Sequence, residues 1–398
     1  MKLEFKYRFA RIAYLLMLLS VPFSIVKAQK FTVDGYLKDM QTLWKAKDIP
    51  LISNNLIHNR LNFNYYATDN LTFHVGMRNR LTWGDFLKLG DALNLGSAFN
   101  YADIMKADNG YFNMSWNVAD QSPDFILNTT LDRLYLDYSK GKWQVTIGRQ
   151  RINWGVNLVW NPNDIFNAFS FFDFDYEERP GIDAVRVQYY TGYASSLELV
   201  YQLEENFDKM SMAGLYRFNA LNYDFQILSG KMRQDLVAGG GWSGDIKGAG
   251  FRGEGTFFYN PDSTGSAAQQ FVGSVSLDYM FSNSLYLHAA VLFNSKGRTG
   301  NFGDINYLLN TDLSPKTLSF ARWSLFGQIS YPLSPIVNAD LAGMVNPIDG
   351  SFFLSPTISW NMAQNVDFSF IGQIFNGSSD DEFGNIGHLF NIRFKYSF

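Results

Sequence analysis

Cysteine is absent from the 398 residues, and with it go disulfide frameworks, thiolate metal sites and cysteine nucleophiles. Histidine is scarce: His58, His74, His288 and His388 are the full set, and none stands at a metal-site spacing such as HExxH. No GxSxG elbow occurs either. A catalytic site, a resident metal and a cofactor are therefore not expected, and the chain does not read as an enzyme. Charged residues make up only 18% and the net charge is −4, which argues against nucleic acid as a partner. Beyond the N-terminus no run approaches the roughly 20 consecutive apolar residues of a membrane helix.

What is present is aromatic and glycine-rich: Phe 36, Tyr 22, Trp 9 and Gly 33, a composition suited to alternating strands. The N-terminus has the form of a secretory leader. Lys2, Lys6, Arg8 and Arg11 precede an apolar core at 12–21 that is too short to span a bilayer. Val26-Lys27-Ala28 then offers a cleavage site before Gln29, giving a signal peptide over 1–28 and one domain over 29–398. Glutamine rather than cysteine at the new N-terminus excludes a lipoprotein of the usual kind.

After the leader, period-two alternation recurs in long segments broken by turn residues. Leu71, Phe73, Val75 and Met77 alternate with Thr72, His74, Gly76 and Arg78. Leu285, Leu287, Ala289, Val291 and Phe293 repeat the pattern directly after the turn at 282–284. The segments run to about 12 residues, well beyond the usual strand of about 5–6. Aromatic residues stand near their ends, as in Tyr279 and Phe281 or Trp323 and Tyr331, where interfacial girdles belong.

Connections alternate between short and long. Short turns fall at 68–70, 139–142, 191–195, 219–222, 244–248, 282–284, 331–335 and 361–365; long connections include 84–125, 155–180 and 295–317. Together these predict an all-β transmembrane, antiparallel, up-and-down barrel of about 18 strands, with sixteen the alternative. It has short periplasmic turns, long outer loops and both termini on the periplasmic side. The last segment fits: Ile392, Phe394, Tyr396 and Phe398 share one face, Arg393, Lys395 and Ser397 the other.

With the apolar face fixed toward lipid, parity sends Arg60, Arg78, Arg80, Arg133, Arg186, Arg393 and Lys395 to the lumen as one basic wall. Segment 154–181 (WGVNLVWNPNDIFNAFSFFDFDYEERPG) is too apolar for a freely solvated loop, yet carries Asp173, Asp175, Glu177 and Glu178. Folded into the barrel, it would set its carboxylates across from the arginines and form a constriction. Parity leaves Arg149 and Arg151 open: strict alternation points them outward, and a bulge at Gly148 turns them inward.

The leader, the alternating strands and the terminal Phe398 resemble Gram-negative outer-membrane porins, and the last strand resembles the β-signal read by the barrel assembly machinery. GRQRINWG, NPNDIFN and DYEERPGID, between Gly148 and Asp183, are similar to porin-like barrels and loosely to alginate-export-like barrels. The resemblance implies an outer-membrane location among lipid and lipopolysaccharide, with passive passage of small hydrophilic solutes or ions through a monomer or homotrimer. Two other readings share the same barrel: a transporter of hydrophobic or aromatic compounds using the rings at 166–174, and an enzyme with a site at the rim.

Overall fold

The computed structural model describes residues 30–398, apart from 48, 89, 91–99, 109, 170, 173–178, 301 and 303–312. The leader and the four acidic loop residues Asp173, Asp175, Glu177 and Glu178 lie outside the described residues. Nineteen strands occur among the described residues. They are β1 (Phe31–Lys45), β2 (Ile52–Thr68), β3 (Leu71–Gly84), β4 (Ser115–Gln121), β5 (Phe125–Lys140), β6 (Trp143–Gln150), β7 (Ile182–Gly192), β8 (Ser195–Gln202), β9 (Ser211–Ala220) and β10 (Tyr223–Met232). The series continues with β11 (Asp235–Ile246), β12 (Ala249–Tyr259), β13 (Gln269–Met280), β14 (Tyr286–Asn294), β15 (Trp323–Ser334), β16 (Val337–Val345), β17 (Phe352–Ala363), β18 (Val366–Asn376) and β19 (His388–Ser397).

Eighteen of them form a closed antiparallel ring in chain order. The ring is sealed by β1 against β19, with Leu37 opposite Tyr396, and by the paired backbone bonds of Gly35 with Phe398 at 3.0 Å. The count is thus the even eighteen that alternation predicts. Turns of a few residues join the strands on the side of the termini, at the positions read from the sequence. The other side carries the longer connections, with one exception: only Arg233 and Gln234 separate β10 from β11.

The outer face follows the parity. Tyr279, Phe281, Trp323 and Tyr331 are all about 40% exposed to the surroundings on that face. Phe271 and Tyr279 on β13 mark its two levels, separated by roughly 27 Å of strand. An apolar band bounded by aromatic rings at about this spacing is a bilayer-facing surface. No helix among the described residues is long and apolar enough to cross a membrane.

The remaining strand, β4, lies within the 84–125 connection together with the short helix α1 (Tyr101–Lys106). It pairs with β5 from Thr130 to Phe125, whereas β6 pairs with β5 from Leu134 to Lys140. At the junction β5 bulges, so that Gly76 and Met77 face Arg133 and Leu131 with Asp132 extra between them.

Arg149 plugs this junction, and β6 pairs through Gly148 with no register shift on either side, so the bulge that would turn Arg149 inward is not formed. It is 1% exposed, with Asp108 at 2.7 Å and Asp183 at 2.8 Å, and it also donates to the carbonyls of Leu131 and Phe112. Gly148 before it has φ 116° and approaches the Leu134 carbonyl too closely to carry a Cβ, so only glycine permits this turn of the strand. Deleting one partner of a buried ion pair leaves uncompensated charge. R149A is expected to lose about 3–5 kcal/mol of stability in urea unfolding of vesicle-inserted protein. R149K restores little of it, because an ammonium lacks the planar fork.

Candidate functional site

The segment following β6 does not extend outward. From Val159 to Asn167 every residue is buried, as are Ile152, Trp154 and Asn157 before them, and the contacts lie on inward-facing positions of the wall. The anchor is Trp154, whose Nε1 donates to Glu198 of β8 at 2.8 Å while its ring meets Phe166 edge-on at 5.0 Å. Glu198 is itself a buried hub, accepting from Arg186 (2.8 and 3.1 Å), Gln188 (3.0 Å) and Arg217 (3.2 Å). Cation donors and an indole N–H together compensate a carboxylate that burial alone would penalise.

Beyond Trp154 the segment steps from strand to strand. Gln226 of β10 donates to the Trp154 carbonyl (2.6 Å), and Glu254 of β12 accepts the Val156 N–H (2.6 Å). Asn157 bridges the Ser274 carbonyl and the Ser276 hydroxyl of β13. Asn163 reaches Gly240 of β11 and accepts from Thr256 of β12 (2.7 Å). Phe171 packs on Phe326 at 5.1 Å, and Phe172 on Phe353, Phe375 and Phe383. At the base, Asn167 accepts from Ile152 N–H (2.8 Å) and donates to the Pro180 carbonyl (2.9 Å), stapling the way in to the way out. Phe166, Phe171 and Phe172 are thus engaged in seating the segment, where the hydrophobic-transporter reading needs them exposed.

The wall that receives the segment is apolar toward its outer end. Val200, Leu228, Phe258, Leu292, Phe353 and Phe375 point inward and join one buried cluster with Trp154, Trp160 and Phe166. Uniformly wet lumen positions, as parity suggests, do not hold there. A signal exists in the sequence: alternation breaks into doublets at Phe257-Phe258, Phe352-Phe353 and Ile374-Phe375, where both faces are apolar.

The basic residues occupy the opposite arc. In strand register, Lys395 lies across from Lys38, Lys38 from His58, and His58 from Arg80, a row over β19, β1, β2 and β3. Arg60 and Arg78 are paired in the next inward-facing register. Arg80 donates to Asn128 (3.0 Å) and to the Met105 carbonyl of α1 (2.8 Å); Arg133 donates to the carbonyls of Asp132 (2.6 Å) and Arg179 (2.8 Å). Arg393 donates to Ser369, and the Lys395 ammonium sits 4.7 Å from the Tyr36 ring centroid. A cavity of about 270 Å³ beside α1 is lined by Arg78, Arg80, His58 and Thr130.

Among the described residues, Arg60 and Arg186 are seen with buried carboxylate partners. Arg60 pairs with Asp132 at 2.7 Å, both about 3% exposed, and Arg186 pairs with Glu198. Lys38, itself fully buried, stands in the row although alternation on β2 and β3 gives no hint of it; the register of β1 against Phe398 is the information that locates it.

At the outer mouth, Glu382 ties the β18–β19 connection to the β14–β15 connection. Its Oε1 accepts from the Ser319 hydroxyl (2.9 Å) and the Ala321 N–H (3.3 Å). Burial pushes this carboxyl up to about 7, with the nearby Asp349 charge adding to the rise against the lowering by those hydrogen bonds.

No family model matches the sequence, and no curated protein matches it. Solved structures do match in fold. OprD of Pseudomonas aeruginosa aligns with TM-score 0.58 and 9% identity, over 93% of this chain and 95% of that one. OccAB2 of Acinetobacter baumannii aligns at 0.57 and 9%, over 92% and 98%. OccK11 (OpdR) of Pseudomonas aeruginosa aligns at 0.51 and 10%, over 92% and 95%. The chain therefore has the eighteen-strand barrel fold of outer-membrane porins.

Two outcomes follow from the seating of the segment and of Glu382. W154A removes the anchor and opens a cavity; such truncations lose about 3–5 kcal/mol, and the freed segment should raise current noise in planar bilayers. For Glu382 the folded carboxyl holds its proton to about 7, above the ordinary value, so the folded state binds more protons than the unfolded. The loop–loop contact is then strongest below the ordinary carboxylate range and weakens as pH rises to about 7. Limited proteolysis should nick these loops faster at high than at low pH, and E382Q should flatten the dependence.

Proposed function

We propose that the protein is a porin-like channel for passive diffusion of small hydrophilic solutes or ions, exported by its leader to the outer membrane. The observation that carries this reading is the division of the interior. One arc, from β8 to β18, holds the inward segment through apolar contacts, neutral polar groups and the carboxylates of Glu198 and Glu254. The other, from β19 through β1, β2, β3 and β5, carries Lys395, Lys38, Arg80, Arg78 and Arg133. A narrow lumen with one charged wall focuses the field on whatever passes and favours one sign of ion.

The acidic residues Asp173, Asp175, Glu177 and Glu178 follow Phe172 directly in the chain. Phe172 is seated on β17 and β18, beside β19 where the basic row begins. We assign them the opposing charge of the constriction, set against Arg78, Arg80 and Arg133 in the manner of a transverse field.

Purified protein should give stable unitary conductance steps in planar bilayers, and a salt gradient should yield a reversal potential on the anion-selective side. R78Q/R80Q/R133Q should move that potential toward cation selectivity by several millivolts or more. An unmoved reversal potential, with the barrel still folded, would remove the basic wall from the account.

A further inference from the structure

On the arc away from the basic row, the outer rim has a different chemistry. The two-residue turn at Arg233 and Gln234 leaves β10 and β11 without an outer loop, while β8–β9 and β12–β13 are joined by longer segments. Above the outer ends of β9 to β15 this dip opens a cup of about 820 Å³. Among the described residues that line it, Lys209, Arg233, Lys296 and Lys316 stand with Asp208 and Asp235.

The cup is built rather than merely basic. Lys316 bonds Asp235 at 2.6 Å, and its backbone is fixed from below by Gln270 and Asn294, which donate to its carbonyl at 2.9 and 3.0 Å. The second carboxylate oxygen of Asp235 is buried and accepts no hydrogen bond. Lys296 donates to the neutral carbonyl of Ala267, which leaves its charge uncompensated by that contact. Asn206, Asn260, Ser314 and Ser319 add amide and hydroxyl groups, and Phe207 and Phe320 add two rings.

Amides and hydroxyls exchange hydrogen bonds with a polyol, since each offers both donor and acceptor. Rings cover its C–H faces, and the cations recruit and hold an anionic group. We propose that this cup captures anionic, hydroxyl-rich solutes, namely sugar acids or sugar phosphates, before they enter the barrel. The inference rests on the channel reading only for what happens after capture.

The test uses full-length protein in detergent micelles, with gluconate, glucose 6-phosphate and glucose followed by titration calorimetry. Saturable binding of gluconate, of glucose 6-phosphate or of both is expected, with glucose bound far more weakly; which anion binds tells carboxylate from phosphate. K209Q/K296Q removes two exposed charges while leaving the Lys316–Asp235 pair intact, and should weaken binding about tenfold. K140Q/K142Q, at the exposed turn between β5 and β6 on the other side of the barrel, should leave binding unchanged. Equal binding of glucose, no saturable binding of either anion, or binding indifferent to K209Q/K296Q overturns the proposal. Bilayer recordings on the same preparations separate the two readings: binding without conductance refutes the channel and leaves the cup standing, and conductance without binding refutes the cup alone.

Discussion

A strand that crosses hydrocarbon finds no water for its N–H and C=O groups, so each must be paired within the protein. In this chain that requirement is met by one ring of eighteen strands, and the ring exists only because β1 meets β19 along ten residue pairs. Most of the wall follows from the closure. Once the ring is shut, successive side chains face lipid or lumen by turns, and a position's chemistry is largely set by its parity. Where the pairing is interrupted, at β4 and β6 on β5, a buried arginine with two carboxylates is needed to hold the wall together.

A ring of this size encloses more space than its own side chains fill. The segment after β6 takes up that space, and its attachment explains why Glu198 is buried among arginines and an indole. It also explains the inward-facing phenylalanines. Phe258, Phe353 and Phe375 would be unfavourable facing open water, and they are buried because Trp160, Phe171 and Phe172 belong to the same apolar layer. Barrel and segment are thus one core.

How much of this is legible in the sequence depends on whether local periodicity or partner strands supply the information. The turns at 69–70, 141–142, 221–222 and 364–365 are written in turn residues between alternating runs, and the strand count follows from them. The inward course of 154–172 is legible too, because its ring content is incompatible with a solvated loop. Arg149 is not, since its place depends on a bulge and on two carboxylates distant in sequence. The partner of Arg60 is hidden for the same reason: alternation turns Asp132 away from the lumen, and the extra residue at the β5 bulge brings it back. Lys38 needs the register of the closing strands. Parity assigns a face well and pairs charges poorly, because pairing is a property of several strands at once.

The division of the interior has an electrostatic consequence on the proposed reading. Contacts that seat the segment on β8 to β18 are mostly neutral, or neutralised locally as at Glu198, so that arc contributes little net field. The row Lys395, Lys38 and Arg80 lies on the far arc, and the gap between the arcs is what a solute must use. At physiological ionic strength screening acts over about 8 Å, a length comparable to a narrowed pore, so the row is felt across the whole gap rather than only at its surface. An interior packed on one side and charged on the other then selects by charge without needing a dedicated pocket for each solute. Of the basic residues, the seating draws in Arg133, at the Arg179 carbonyl, and Arg186, at the Glu198 hub, while the rest of it is made by neutral hydrogen bonds and ring contacts.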